Sequence, residues 1–364
     1  MRERTGNVLW LLLPALLAAC ATGSGSRRAP ARTIFMEPLH LGLQPDAELG
    51  LADFDAATLL RRGLQHQQRA EYRRALPFYR RILEEFPDSR FLSAAALNLG
   101  ACLEELGDDA GAVASYRLIT TRLPRSRDFI DAAFRQAGCL ARLGRHAESR
   151  AMLEQLLERR LDVSDRIDAL VLQGEQRLAL EETLAAERDF RRALALWRRH
   201  QHEEYLDPAA AARAQFRLAE LAERRFLEAP LRLPEEQMKE DLERKARRLL
   251  EAQSLYLRTV RFGDPRWATA AGYRIGNLYV LLHRAMRQAP VPADLDDEER
   301  AVYRDMLRQR TAVLLKKALR VFEQTVELAQ RTGIEGDWIR SAREQMARIE
   351  HEVLSLPDTA EAGS

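Results

Sequence analysis

From Asp55 onward, apolar residues fall into short runs with the three-and-four spacing of amphipathic helices, and each run is closed by Gly, Gly-Asp or Pro. In one such stretch Leu97, Leu99, Gly100 and Leu103 share the packing side of a helix expected over Ala94 to Leu106. Gly107 and Asp108 break it, and a second helix is expected from Ala110 to Arg122, stopped by Pro124 as Pro87 stops the preceding pair. The pattern recurs at a fixed interval. Gly63, Gly100, Ala137 and Gly174 are successively 37 residues apart, and so are Ala75, Ala112, Ser149 and Ala186, and Tyr79, Tyr116, Leu153 and Phe190. A fixed period of this size marks a solenoid, in which each helix pair buries its apolar face on its neighbours. Gly100 is expected to let the helices of its pair approach closely, Ala112 to leave room at the crossing, and Tyr116 to fill the gap against the following unit.

Leu99-Gly100, Gly107, Ala112, Tyr116, Ile119 and Pro124 stand at the offsets of Leu-Gly, Gly, Ala, aromatic, Ala and Pro in the tetratricopeptide repeat, and the unit resembles that family. The unit beginning near Ala56 matches through Gly63, Ala75, Tyr79 and Pro87. The third keeps Gly144 and Leu156 but carries Ala137, Ser149 and Leu153 in place of the preferred types; the fourth keeps Gly174, Ala186, Phe190 and Ala193 without a terminal proline. The resemblance implies an all-α tetratricopeptide helix-hairpin solenoid, with four units over residues 55–205. Farther on the signature is stretched. Phe216 to Ala219 and Ile275 to Tyr279, with Gly276, read as first helices, and Ala252 with Tyr256 and Ala318 with Phe322 as their second helices. The separations are 33 and 42 residues, where Gly100 to Ala112 is 12. Pro230 with Pro234, and Pro290 with Pro292, each precede an acidic stretch suited to a helix N-terminus. Residues 206–355 are therefore expected to hold two units with lengthened second helices, near 235–261 and 297–332. A capping helix from Asp337 to Leu354 follows, with Ile339, Met346, Ile349 and Val353 inward, and then a disordered tail over 356–364.

In tetratricopeptide arrays the first helices line a concave face on which the fifth and ninth residues of each unit are prominent. The resemblance puts Leu60, Leu97, Phe134 and Val171 at the fifth position and Leu64, Ala101, Gly138 and Glu175 at the ninth. The candidate partner groove is thus Leu60, Leu64, Leu97, Phe134, Val171 and Glu175. Members that clamp a terminal carboxylate use Lys and Asn at such sites, and none of the four units has them. An apolar ladder suits an apolar peptide, an amphipathic helix or the chain's own Thr33–Leu43 segment. Packing between neighbouring repeats is the alternative role for the same side chains. The repeat-packing set is Gly63, Gly100, Gly174 and Gly276, with Ala75, Ala112, Ala186 and Ala318, and Tyr79, Tyr116, Phe190 and Phe322.

The N-terminal sequence carries an address. Arg2 and Arg4 precede an apolar run from Val8 to Leu17, too short to span a bilayer but suited to a signal-peptide core. Leu17-Ala18-Ala19-Cys20 resembles a bacterial lipobox, which implies removal of residues 1–19 and lipid attachment at Cys20. Ala21 after the cysteine resembles the class sorted to the outer membrane. Residues 20–54, rich in Gly and Pro, read as a flexible tether, in which Thr33–Leu43 is apolar enough either to engage a surface or to serve as a lead-in.

Composition narrows the classes further. Hydrophobic residues make up 46% and charged residues 31%, with 57 Lys and Arg against 55 Asp and Glu, as in a core-forming helical protein. Both signs are interspersed, and no basic tract is interleaved with aromatics, so nucleic acid is not an expected partner. Cys102 and Cys139 are 37 residues apart, which makes them one position in neighbouring units. Stacked equivalents lie about 10 Å apart, beyond the Cα reach of a disulfide, so both read as small buried hydrophobes. His200-Gln-His202-Glu-Glu204 is the densest set of metal-ligand types, but an i, i+2 pair does not share a helix face, and it reads as a solvated helix end. Phosphate-loop and nucleophile-elbow patterns are absent, so no metal and no cofactor beyond the lipid on Cys20 is expected.

The expected function is a non-enzymatic, lipid-anchored scaffold that binds envelope proteins or peptides at the outer membrane, facing the periplasm. Its Glu-Glu-Phe-Pro-Asp-Ser89 and Arg-Leu-Pro-Arg-Ser126 repeat ends resemble those of periplasmic tetratricopeptide proteins. These include the lipoprotein of the β-barrel assembly machinery, secretin pilotins and the Tol–Pal coordinator. Two alternatives stand beside it. One is a self-assembling structural protein that uses the long helices, with the oligomeric state left open. The other is an enzyme-associated substrate-binding module, with a concave polar pocket and perturbed titratable groups in residues 206–354.

Overall fold

The computed structural model describes residues 55–203 and 206–354, all within one compact unit. The expectations for the signal peptide, Cys20, the tether with Thr33–Leu43 and the tail lie outside the described residues, as do Glu204 and the side chain of Val353.

Helices follow one another in antiparallel pairs. They are α1 (Ala56–Gln68) with α2 (Tyr72–Glu85), α3 (Leu92–Glu105) with α4 (Asp109–Arg122), α5 (Phe129–Arg142) with α6 (His146–Leu157), and α7 (Val163–Ala179) with α8 (Thr183–His200). Two longer pairs follow: α9 (Ala209–Leu227) with α10 (Glu235–Val260), and α11 (Pro265–Arg287) with α12 (Asp297–Thr332). The last helix, α13 (Asp337–Leu354), packs on α11 and α12 and caps the stack, with Ile339 and Ile349 buried. Among the described residues there is no strand, and no helix is long and apolar enough to cross a membrane. The fold is the all-α hairpin solenoid that the repeat pattern implies, with two lengthened C-terminal hairpins and a capping helix.

Local chemistry sets the ends of these helices. Asp55, Asp108, Asp162, Asp264 and Asp296 each accept a hydrogen bond from a first-turn N–H of the helix that follows. Such caps satisfy donors that no helical carbonyl can reach. Between the paired helices of the first four units the chain needs one left-handed residue. It falls at Ala70, Gly107, Gly144 and Glu181, with φ of 57°, 78°, 72° and 62°. Glycine takes this conformation freely, whereas Ala70 and Glu181 hold it at about 1–2 kcal/mol each.

The small-and-aromatic signature has a direct physical basis, with one addition to the sequence expectation. Tyr116 shares a cluster with Ala132, Cys139 and Leu140 of the next unit, and its ring also lies against Gly100 of its own hairpin, so that a Cβ there would come within 3.0 Å of three ring atoms. Tyr79 covers Gly63, Phe190 covers Gly174 and Phe322 covers Gly276 in the same way, and all four rings are fully buried. The third unit shows the rule by exception: Leu153 replaces the aromatic, and Ala137 occupies the glycine position, both buried. Its Ser149, in the place of alanine, donates to the Ala137 carbonyl at 2.8 Å, which satisfies a fully buried hydroxyl.

A second pairing runs through the same hairpins. Where the aromatic is tyrosine, its hydroxyl donates to the residue four beyond the small position: Tyr79 to Gln67 at 2.7 Å, Tyr116 to Glu104, and Tyr256 to Glu223. Where it is Phe190 or Phe322, that residue is Leu178 or Val280, and each pair shares an apolar cluster. Glu104 and Glu223 then reach the following unit, through Arg142 at 2.9 Å and Arg274 at 3.4 Å respectively. Each acid therefore satisfies a buried hydroxyl and joins two units.

Cys102 and Cys139 are free and fully buried in the first core cluster, and burial pushes their thiols up to about 11 and about 12. They pack as small apolar side chains. In the first insertion Lys245, only 4% exposed, donates to the carbonyls of Phe226 at 3.0 Å and Ala229 at 2.7 Å and stands over the Phe226 ring. It closes the C-terminus of α9, where helical carbonyls lack partners. Lys245→Met keeps the stem and removes the cap, and is expected to destabilise the protein by about 2–3 kcal/mol in urea unfolding. Hydrogen exchange should locate the loosening in residues 226–249.

Candidate partner-binding surface

The six groove residues divide between packing and surface. Leu60 and Leu97 are half-buried against the first core cluster, and Phe134 is half-buried against Phe129, Ala133 and Ala137. Leu64 is half-buried. Val171, however, is only 1% exposed and shares a cluster with Ala211 and Ala214 of α9. This corrects its place in the groove: α9 lies directly over it and withdraws it from any partner. Glu175 is not an isolated surface acid either, since Arg213 and Arg217 of α9 both bind it, Arg217 at 2.9 Å.

The first helices of the later units instead carry a chain of charges. Arg217 bridges Glu175 and Glu220, and Arg274 of α11 bridges Glu220 at 2.7 Å and the buried Glu223. Burial raises the Glu223 carboxyl above the usual range although Arg274 and the Tyr256 hydroxyl both stabilise its ionised form. The chain leads to a cavity of about 290 Å³ lined by Asp168, Ala210, Arg213, Arg266, Trp267 and Trp338. Alanines Ala209, Ala210 and Ala270 keep its walls low. The two indoles are fixed by their neighbours: Trp267 lies 5.1 Å from Phe216, and Trp338 lies 5.4 Å from Tyr273, with the Arg274 guanidinium over its ring at 5.3 Å. Trp338 is nevertheless 37% exposed.

Asp168 gives this cavity its chemistry. Burial pushes its carboxyl up from 3.8 to about 6; Asp165 adds repulsion, Arg213 partly offsets it, and Asp207 and Asp162 add to it. The two arginines in the cavity are already engaged, Arg213 by Glu175 and Arg266 by Asp264 at 3.5 Å. Among the described residues Asp168 has no hydrogen bond or direct ion pair, and Arg213, which partly offsets its charge, is held by Glu175. The sign of its linkage follows. Between pH 3.8 and about 6 the folded chain binds this proton more tightly than the unfolded chain. Stability contributed by the neutral form is therefore lost as pH rises through about 6.

Sequence reasoning did not single out Asp168, Trp267 or Trp338. Asp168 stands three residues before Val171 on a helix full of acids, and the tryptophans lie in stretches outside the regular period. The rarity of tryptophan, four in the chain, was the one available signal. The cavity lies partly in residues 206–354, where the substrate-binding alternative expects a polar pocket, but indoles and alanines line much of it and Asp168 lies on α7. His200 contacts Glu203 at 2.5 Å at the end of α8, and no group of three His, Cys, Asp or Glu among the described residues is placed to hold a metal ion.

The tetratricopeptide repeat model matches residues 57–89, 94–126 and 131–160, which are the first three hairpins. No curated protein matches the sequence. Among solved structures the chain is similar to the MamA protein, at 16% identity over 66% of this chain and 96% of that one, with a TM-score of 0.40. It is similar to a tetratricopeptide repeat protein from Parabacteroides merdae, at 17% identity over 81% and 98% of the two chains, with a TM-score of 0.39. It is also similar to a Rap protein complexed with competence and sporulation factor, at 15% identity over 85% and 78%, with a TM-score of 0.37.

Proposed function

We propose that this stack of tetratricopeptide hairpins is a non-enzymatic scaffold, held by lipid on Cys20 at the outer membrane of a bacterium. Its inner cleft would hold a basic segment of an envelope protein engaged in assembly, secretion or motility. The observation that carries the choice of partner is Asp168, a partly buried carboxylate with no direct ion pair, beside two indoles. A lysine or arginine from a partner would neutralise Asp168 and rest on the faces of Trp267 or Trp338. The anchor rests on the lipobox-like Leu17–Cys20 run, and two acyl chains suffice for stable attachment.

A photocrosslinker at Ala209 or Ala210, followed by mass spectrometry of the native envelope, tests the cleft. Expected are adducts with one envelope protein, reduced by Asp168→Asn and by Trp267→Ala. Adducts that are unchanged in both variants would remove the cleft from the function. Cys20→Ala is expected to release the protein from the membrane fraction, and retention there would remove the anchor.

The same carboxylate sets a pH dependence. Binding of a basic peptide should tighten as pH rises from 5 to 7, because Asp168 ionises near 6 and pairs only when charged. Asp168→Asn should flatten this profile, measured by titration calorimetry at several pH values. One observation favours a second reading, that of a substrate-binding module: the perturbed Asp168 sits in a concave pocket large enough for a small molecule. Thermal-shift measurements with small amines and guanidines separate the two. Stabilisation by a free small cation, abolished by Asp168→Asn, would favour the module.

A further inference from the structure

The two insertions meet at their tips. Leu233, Pro234 and Met238 from the first and Pro292, Leu295 and Tyr303 from the second line one groove of about 610 Å³. Its floor is apolar and open to solvent. Farther along α12, Val302, Met306 and Val313 are 60%, 45% and 51% exposed. Their spacing of four and then seven residues puts them on one helix face. Large apolar side chains exposed together in this way mark an interaction surface more often than a solvated one.

The rim is acidic. Glu235, Glu236 and Asp294 line the groove, and Glu298 stands in the first turn of α12 beside it. None of these four has an ion pair among the described residues. Asp296 and Glu299 are used up in a capping box with each other's backbone, and Arg300 is tied to Asp297 at 3.5 Å and to the Ala293 carbonyl at 3.1 Å. Each helix that begins here adds about half a positive charge. That leaves the rim strongly negative around an apolar floor.

We propose that the paired insertion tips are a docking groove for a basic amphipathic helix of a partner protein. Its apolar face would lie on Leu233, Leu295 and Tyr303, and its lysines or arginines would face Glu235, Glu236 and Asp294. The charge complementarity selects this occupant: an acidic or neutral helix would meet uncompensated repulsion or leave the rim unpaired. The groove is separate from the inner cleft, which is built from α7, α9, α11 and α13.

The test is fluorescence anisotropy with a labelled Leu/Lys amphipathic peptide of about 16 residues, enough for four helical turns. The full chain carries Asp168→Asn, so that the inner cleft is silent. The Leu/Lys peptide should bind at least about tenfold more tightly than a Leu/Glu peptide of the same pattern, with affinity falling as salt rises. Combined Glu235→Gln, Glu236→Gln and Asp294→Asn should weaken it about fivefold or more, as should Leu233→Ser in the groove wall. These side chains are exposed, and circular dichroism should show the fold unchanged. Equal binding of both peptides, or unaltered affinity in both variants, would overturn the proposal. So would a dimer in sedimentation that Leu233→Ser dissolves, since the occupant would then be a second copy. Inner-cleft adducts unchanged by Asp168→Asn and Trp267→Ala, with Leu/Lys binding intact, would sink the cleft function alone.

Discussion

Gly100→Val is expected to lower the unfolding free energy by about 3 kcal/mol, the upper end of the usual penalty for overpacking. Any Cβ at this position comes within 3.0 Å of the Tyr116 ring, and that ring is fully buried with its hydroxyl held by Glu104. The ring cannot rotate away without breaking that bond. Tyr116→Leu alone should also destabilise, by leaving a void and taking the hydroxyl from Glu104, which keeps Arg142 at 2.9 Å. The double variant Gly100→Ala with Tyr116→Leu reproduces the Ala137–Leu153 pair of the third unit. It should lose less than the two single changes added together, with a coupling of about 1 kcal/mol or more. Gly138→Val is the control: its nearest neighbour is an Arg142 nitrogen at 3.8 Å, and it should be close to neutral in the same urea unfolding experiment. Equal effects at Gly100 and Gly138 would mean that helix propensity, not ring contact, selects glycine.

Glu223→Leu should have the other large effect, about 3–5 kcal/mol, because it strips a buried hydroxyl and a buried guanidinium of one partner. Glu223 is 4% exposed, accepts from Tyr256 and pairs with Arg274. Arg274 retains Glu220 at 2.7 Å, so most of the loss should arise at the tyrosine. Adding Tyr256→Phe should then recover at least about 1 kcal/mol, by copying the Leu178–Phe190 arrangement of the fourth hairpin. Denaturant unfolding together with hydrogen exchange on α9 and α10 checks both variants, since a solenoid need not unfold in one step. A double variant as unstable as Glu223→Leu would show that the acid acts through Arg274 instead.

Much of the architecture is legible along the chain. The sequence places the second helices of the lengthened hairpins near 235–261 and 297–332, and the structure has them at Glu235–Val260 and Asp297–Thr332. Proline clusters followed by acids are local signals, and helix starts obey local chemistry. The period likewise marks Gly63, Gly100 and Gly174 as equivalent, the stretched signature adds Gly276, and a ring covers each of the four. Equivalence does not say which copy touches which. A residue and its counterpart 37 positions on have the same neighbours in sequence, and only packing shows Tyr116 over Gly100 of its own hairpin.

The binding surfaces divide along the same line. By itself the sequence determined the helices, their pairing, the repeat and the positions that must be small or aromatic, because spacing and helix breakers act within a turn or two. Whether Val171 faces a partner or a neighbour depended on where α9 lies, and α9 covers it. Asp168, Trp267 and Trp338 come from three helices far apart in the chain, and Leu233 and Leu295 from two different insertions. Only the tertiary structure brings them together, because stacking angles, not local spacing, decide which side chains share a cavity and which carboxylate is left there without a direct ion pair.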